Sequence, residues 1–124
     1  INKGRRPKEL KMKKFEVNTF EIEIMRASKN TNANEVIETY NEKTDQNPYL
    51  VKKFDTLEEA RNFYNTIKLD TPHKFGSGYN SGYLFEGKFI EEVEYNEDDE
   101  FEYSNGWWNC DVNTNEEEEE EEDD

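Results

Sequence analysis

The chain has one cysteine, Cys110, and one histidine, His73. A lone cysteine excludes an intrachain disulfide framework and a cysteine-based zinc cluster. A lone histidine leaves no paired-histidine mechanism and no His-rich metal site within one chain. No stretch approaches the ~18–20 consecutive apolar residues of a membrane-spanning helix. Lys13 and Lys14 lead into the alternating Phe15-Glu16-Val17, not into the apolar core of a signal peptide. Positive charge is also scarce, with 16 Lys+Arg against 31 Asp+Glu and a formal net charge of −15. Phosphate backbones and anionic lipid would repel such a chain, which disfavours direct nucleic-acid or membrane binding and makes basic proteins and metal cations the natural partners. The residue set calls for no cofactor and no metal, and the reading places the protein in the cytoplasm.

What remains is a small chain of 124 residues in which Leu, Ile, Val and Phe number 24. That share lies just under the roughly 20% at which high charge signals disorder, while 14% aromatic residues argue for an ordered centre. One domain over residues 12–112 is expected between two polar ends. Residues 1–11 hold five Lys or Arg and one Glu, and read as a non-native or flexible basic leader, with Met12 as an ordinary start. Residues 113–124 end in seven consecutive glutamates and two aspartates, whose mutual repulsion predicts a disordered acidic tail.

Period-two alternation in Phe15–Val17 and Phe20–Ile24 predicts a strand, with a parity change near Asn18-Thr19 that suggests a bulge. Val36, Ile37 and Tyr40 fit either a second strand or a short helix. Leu50–Phe54 reads as a strand leading into an amphipathic helix at about 56–68. Thr56 and Glu59 form a capping box there, and Leu57, Ala60, Phe63, Tyr64 and Ile67 share one face. Gly82–Phe85 and Lys88–Tyr95 are expected to pair through a Glu86-Gly87 turn. Asn96–Asp99 is a polar turn, and Asn105-Gly106 is the strongest hairpin signal, with Trp107–Val112 returning. The fold class that follows is α+β: a small antiparallel sheet with one helix on a face.

Nine carboxylates lie between Glu86 and Glu102 against the single Lys88. Glu91, Glu92, Glu94, Glu97, Asp98, Asp99, Glu100 and Glu102 form the expected partner-binding face, joined by Trp107. Side chains on one strand face repeat every ~6.6 Å, so such a row can imitate spaced phosphates and occupy a basic cleft. By parity with Cys110 and Val112, Trp108 should be buried and Trp107 exposed as a binding hot spot. Glu91 shares parity with Phe89, Val93 and Tyr95, and burial there would raise its pKa as a general acid requires; an edge position in water is the expectation. The Phe75–Tyr83 stretch is rich in glycine and aromatics. It follows a helix and opens a strand, the wrong context for a phosphate loop, and reads as a flexible connector. His73 is expected in an exposed loop and Cys110 in the core.

In size, acidity and AT-rich residue usage, with 15 Asn and three Pro, the chain is similar to short acidic proteins of phages and mobile elements. Some of those resemble nucleic-acid mimics that block defence nucleases or regulators. The similarity implies a non-enzymatic protein that engages a basic, nucleic-acid-binding partner. Two other readings stand beside it. One is an accessory or scaffold protein that binds through Trp107 and the Phe75–Tyr83 loop, with acidity serving solubility. The other is a carboxylate-dependent hydrolase, for which no carboxylate pair stands out.

Overall fold

A computed structural model describes residues 12–43 and 48–114. The basic leader and the glutamate run lie outside the described residues. The elements are β1 (Met12–Met25), α1 (Ala33–Glu42), β2 (Tyr49–Phe54), α2 (Leu57–Tyr64), β3 (His73–Phe75), β4 (Gly82–Tyr95) and β5 (Phe101–Val112). The five strands form one antiparallel, curled sheet in the order β2-β1-β4-β3, with β5 also pairing with β4. The α+β class read from the sequence is therefore the class observed, with a second helix where Val36, Ile37 and Tyr40 left the choice open.

Two compact units divide the described residues, and β1, β2, β4 and β5 contribute to both. The first takes in residues 12–18, Leu50–Ile67 and Phe89–Cys110. Its core is Phe15, Val17, Ala60, Tyr64 and Ile90, with Phe54, Leu57, Phe63 and Ile67 packed against it. All four apolar α2 positions and Ile67 thus turn to the sheet, as their spacing requires. The Thr56 hydroxyl accepts from the Glu59 amide at 3.1 Å, the N-terminal half of the expected capping box. α2 stops four residues short of the expected Lys68. The Thr66 and Ile67 amides bond instead to the Phe63 and Tyr64 carbonyls, three residues back, which tightens the last turn.

The second unit holds residues 19–43, 48–49, Lys68–Lys88 and 111–114. Its buried side chains are Phe20, Ile22, Val36, Tyr40 and Phe85. α1 starts at Asn32, whose side chain accepts from the Asn34 amide. The Phe20 and Tyr40 rings stack with centroids 4.0 Å apart. Asn113 closes this unit: its side-chain oxygen accepts from the Glu86 amide, its own amide bonds the Glu86 carbonyl, and its side-chain nitrogen donates to the Asp70 carbonyl.

Two expected hairpins are absent. β4 runs unbroken through Glu86-Gly87, and β5 runs unbroken through Asn105-Gly106. At Gly87 the reason is space: a Cβ there would sit 2.2 Å from the Phe20 ring. The glycine lets the Phe20 ring lie against the strand backbone and is no turn signal. At Gly106 the backbone adopts φ +109°, which glycine tolerates, and the strand continues through it.

Gly87→Ala is expected to destabilise the protein by about 1–3 kcal/mol through overpacking, and a second substitution, Phe20→Leu, should recover part of that loss. Urea unfolding of the single and double variants measures it. A Gly87→Ala cost that Phe20→Leu leaves unchanged would contradict the assignment.

Candidate partner-binding face

The β4–β5 turn is specified by Asn96. Its side-chain oxygen accepts from the Asp98 amide at 2.8 Å and the Glu100 amide at 3.0 Å. Its backbone amide bonds the Glu100 carbonyl, and the Asp99 amide bonds the Asn96 carbonyl. Asp99 takes φ +65°, a conformation aspartate tolerates better than most residues. The expected polar turn is thus present. It holds Glu97, Asp98, Asp99 and Glu100 together on an exposed tip.

Further along the hairpin the carboxylates turn inward. Glu92 is only 9% exposed. One of its oxygens accepts from the Trp108 indole nitrogen at 2.7 Å. The other accepts from Asn105 at 2.7 Å and lies 3.4 Å from the Lys13 ammonium. These donors hold its pKa below the ordinary 4.5, the Trp108 bond foremost, with burial opposing and Asn105 and Lys13 adding to the lowering. Glu94 accepts from the Tyr103 hydroxyl at 3.0 Å and from Asn105 at 3.2 Å. Glu91, for which burial was weighed, is half-buried; its neighbour Glu92 is the buried one. Of the expected face, Glu92 and Glu94 therefore serve β5, while Glu97–Glu100 and Glu102 face solvent.

The tryptophan assignment reverses. Trp107 is half-buried and stacks on Phe89, with ring centroids 4.0 Å apart. Trp108 is 50% exposed, with Arg61 5.7 Å from its ring centroid. Asn105 and Trp108 both reach Glu92, although residues three apart on a strictly alternating strand point to opposite faces. The strand departs from alternation between Asn105 and Trp108, around Gly106 with its φ of +109°. Beyond it the apolar parity of Trp108, Cys110 and Val112 does not mark the buried face, since it is Trp107 that packs on Phe89. Cys110 is half-buried, not a core residue.

The second buried carboxylate went unnoticed in the sequence. Glu16 accepts from the Tyr95 hydroxyl, and its other neighbour is the Lys53 ammonium at 3.8 Å. The Tyr95 phenol is pushed above its ordinary value, chiefly by burial and then by this bond to Glu16. Lys53 is raised chiefly by its interaction with Tyr95, against a smaller opposing effect of burial. The alternation over Phe15–Val17 places Glu16 on the solvent side, but β1 is buried on both faces from Phe15 to Asn18.

Every described cation of the first unit has a partner within it. Lys13 meets Glu92, Lys14 meets Asp55, and Lys53 meets Glu16. Lys52 lies over the Phe54 and Phe63 rings, and Arg61 donates to Asn109 at 3.1 Å. Twelve acidic residues stand against these five among the described residues of the unit. Of the acidic residues, Glu97, Asp98, Asp99 and Glu100 stand together at the exposed end of the hairpin, and Asp99 is close enough to Lys53 to help raise its pKa.

In the second unit, His73 sits in β3 opposite Leu84 and is exposed, in a strand where a loop was expected. The glycine-rich stretch contains a short 3₁₀ turn at Gly78–Asn80, and Tyr79 is 82% exposed with Arg26 5.4 Å from its ring. Among the described residues no three His, Cys, Asp or Glu side chains are grouped as a metal would need. No described helix is long and apolar enough to cross a membrane. No protein-family model matches the chain, and no curated protein or solved structure is significantly similar to it.

Because the Glu92 pKa lies below its unfolded value, its contribution to stability is present above pH 4.5 and lost as pH falls through the lowered folded value. Glu92→Gln is expected to cost about 1.5–3 kcal/mol at neutral pH, and the gap between variant and parent should shrink on acidification below that point. Denaturant unfolding at a series of pH values checks it. Stability curves that run parallel down to acid would contradict the role given to Glu92.

Proposed function

We propose that this protein is a non-enzymatic binding protein that engages a basic, nucleic-acid-binding partner through the carboxylates of the β4–β5 hairpin. The observation that carries the reading is the Asn96-locked turn, which presents Glu97, Asp98, Asp99 and Glu100 together in solvent. A fixed cluster of like charge attracts a basic surface at long range, speeds association and loses force as salt rises. The manner is that of a nucleic-acid mimic or defence inhibitor of a phage or mobile element, acting in the cytoplasm. Glu102 continues the cluster into β5, and Glu91 flanks it. Trp107 drops out of the contact set because it is stacked on Phe89.

A second reading, a scaffold that binds through aromatics, is favoured by one observation, the 82% exposure of Tyr79 in the glycine-rich stretch. Its binding would be insensitive to salt and to charge reversal on the hairpin.

The test is a variant carrying Glu97→Lys, Asp98→Lys, Asp99→Asn and Glu100→Lys. Asparagine at 99 removes charge and keeps the preference for positive φ. The protein and the variant are used as bait in lysate of a low-GC bacterium, with and without competing duplex DNA. The parent should capture one dominant nucleic-acid-binding protein that DNA and salt displace. The variant should associate with it about tenfold or more slowly at low salt. Equal capture by both, or capture indifferent to DNA, overturns the proposal.

A further inference from the structure

Trp108 is a large apolar side chain that the fold leaves half in solvent, yet it is fixed in place. Its indole N–H donates to the buried Glu92 carboxylate at 2.7 Å. Arg61, which donates to Asn109 at 3.1 Å, holds its guanidinium 5.7 Å from the ring centroid. A ring already held gives up little freedom when a partner meets it, which is the property of a binding anchor.

Chemistry selects the occupant. Tryptophan offers the best aromatic face for a cation, and the contact with Arg61 shows this ring taking a guanidinium. Donation of the N–H to an anion polarises the indole and strengthens its attraction for positive charge. The unit around it carries twelve acidic residues against five cations among the described residues, so a further cation is drawn in despite Arg61. Arginine suits the ring better than lysine, because its planar, weakly hydrated head stacks on an aromatic face. Trp108 lies eight positions along the chain from Glu100. That is at most about 26 Å of extended strand, which an eight-residue segment of a partner also covers.

We infer that Trp108 is the anchor for an arginine side chain of the basic partner. This rests on the acidic-hairpin reading and deepens it, since it names the chemical group recognised and the residue that recognises it. The carboxylates of the turn set the encounter rate, and the indole face holds one guanidinium of the segment they attract.

The probe is an octapeptide of alternating arginine and glycine, titrated into the full chain at low salt. The chain is prepared with ordinary tryptophan and with mono-, di- and trifluorotryptophan in its place. Fluorine drains electrons from the ring face and makes the indole N–H a better donor, so the bond to Glu92 is kept while the cation contact weakens. Trp107, stacked on Phe89, is the internal control. Affinity should fall stepwise with fluorine, by about two- to fivefold at the trifluoro stage. The Trp108 fluorine signals should shift on binding while those of Trp107 stay. Affinity indifferent to fluorine with the Trp108 signals unmoved overturns the anchor, and leaves the acidic-hairpin reading standing where salt and the four hairpin substitutions still weaken binding. Equal fluorine dependence with lysine in place of arginine overturns the choice of guanidinium. If the peptide does not bind at all, both the anchor and the basic partner beneath it fall.

Discussion

A carboxylate buried beside a sheet is costly unless donors surround it. Glu92 meets that condition with three partners drawn from distant parts of the sequence: Lys13 on β1 and Asn105 and Trp108 on β5. Because β4 lies between those strands in the pairing order, the single side chain of Glu92 ties all three strands together. Hydrogen bonds to a charged acceptor contribute about 1.5–3 kcal/mol each, enough for the hub to set the side-chain placement of β5. The stacking of Trp107 on Phe89 and the exposed ring of Trp108 accompany that placement. A strand that alternated strictly through Gly106 could not bring Asn105 and Trp108 to the same acceptor.

The same constraint explains how so acidic a chain holds together. Two groups of its carboxylates in the first unit meet different surroundings. Glu16, Glu92 and Glu94 accept from Tyr95, Trp108, Asn105 and Tyr103, and two of them sit beside the lysines that β1 and β2 supply. The other group, on the Asn96 turn, has solvent around it. Lys13 and Lys53 serve the inward group, and Lys53 also feels the charge of Asp99 on the turn.

Much of the fold was legible because local signals and tertiary packing agree. The Thr56 cap, the apolar face from Leu57 to Ile67 and the Asn96 turn each arise within a few residues, and each is present. The two glycine dipeptides misled for one reason. A glycine in a strand can mark a turn, a close approach or a bend, and the sequence does not distinguish these. At Gly87 the deciding neighbour is Phe20, 67 positions away, and at Gly106 it is the shared acceptor Glu92. The site shows the same division. The exposed carboxylates of the turn were readable from the run Glu97–Glu100 itself, whereas the inward direction of Glu92 depends on Lys13 and Trp108, and Glu16 is hidden by a strand buried on both faces.

The bond from the Trp108 indole to a charged Glu92 is the interaction on which the placement of β5 depends. Carboxyl-carbon NMR of the full chain across an acid titration, read together with the Trp108 indole N–H resonance, measures that directly. The Glu92 signal should titrate below 4.5, and the indole proton should move with the same midpoint as its acceptor is protonated. A Glu92 carboxyl that titrates at or above that value while the indole resonance stays still would contradict it.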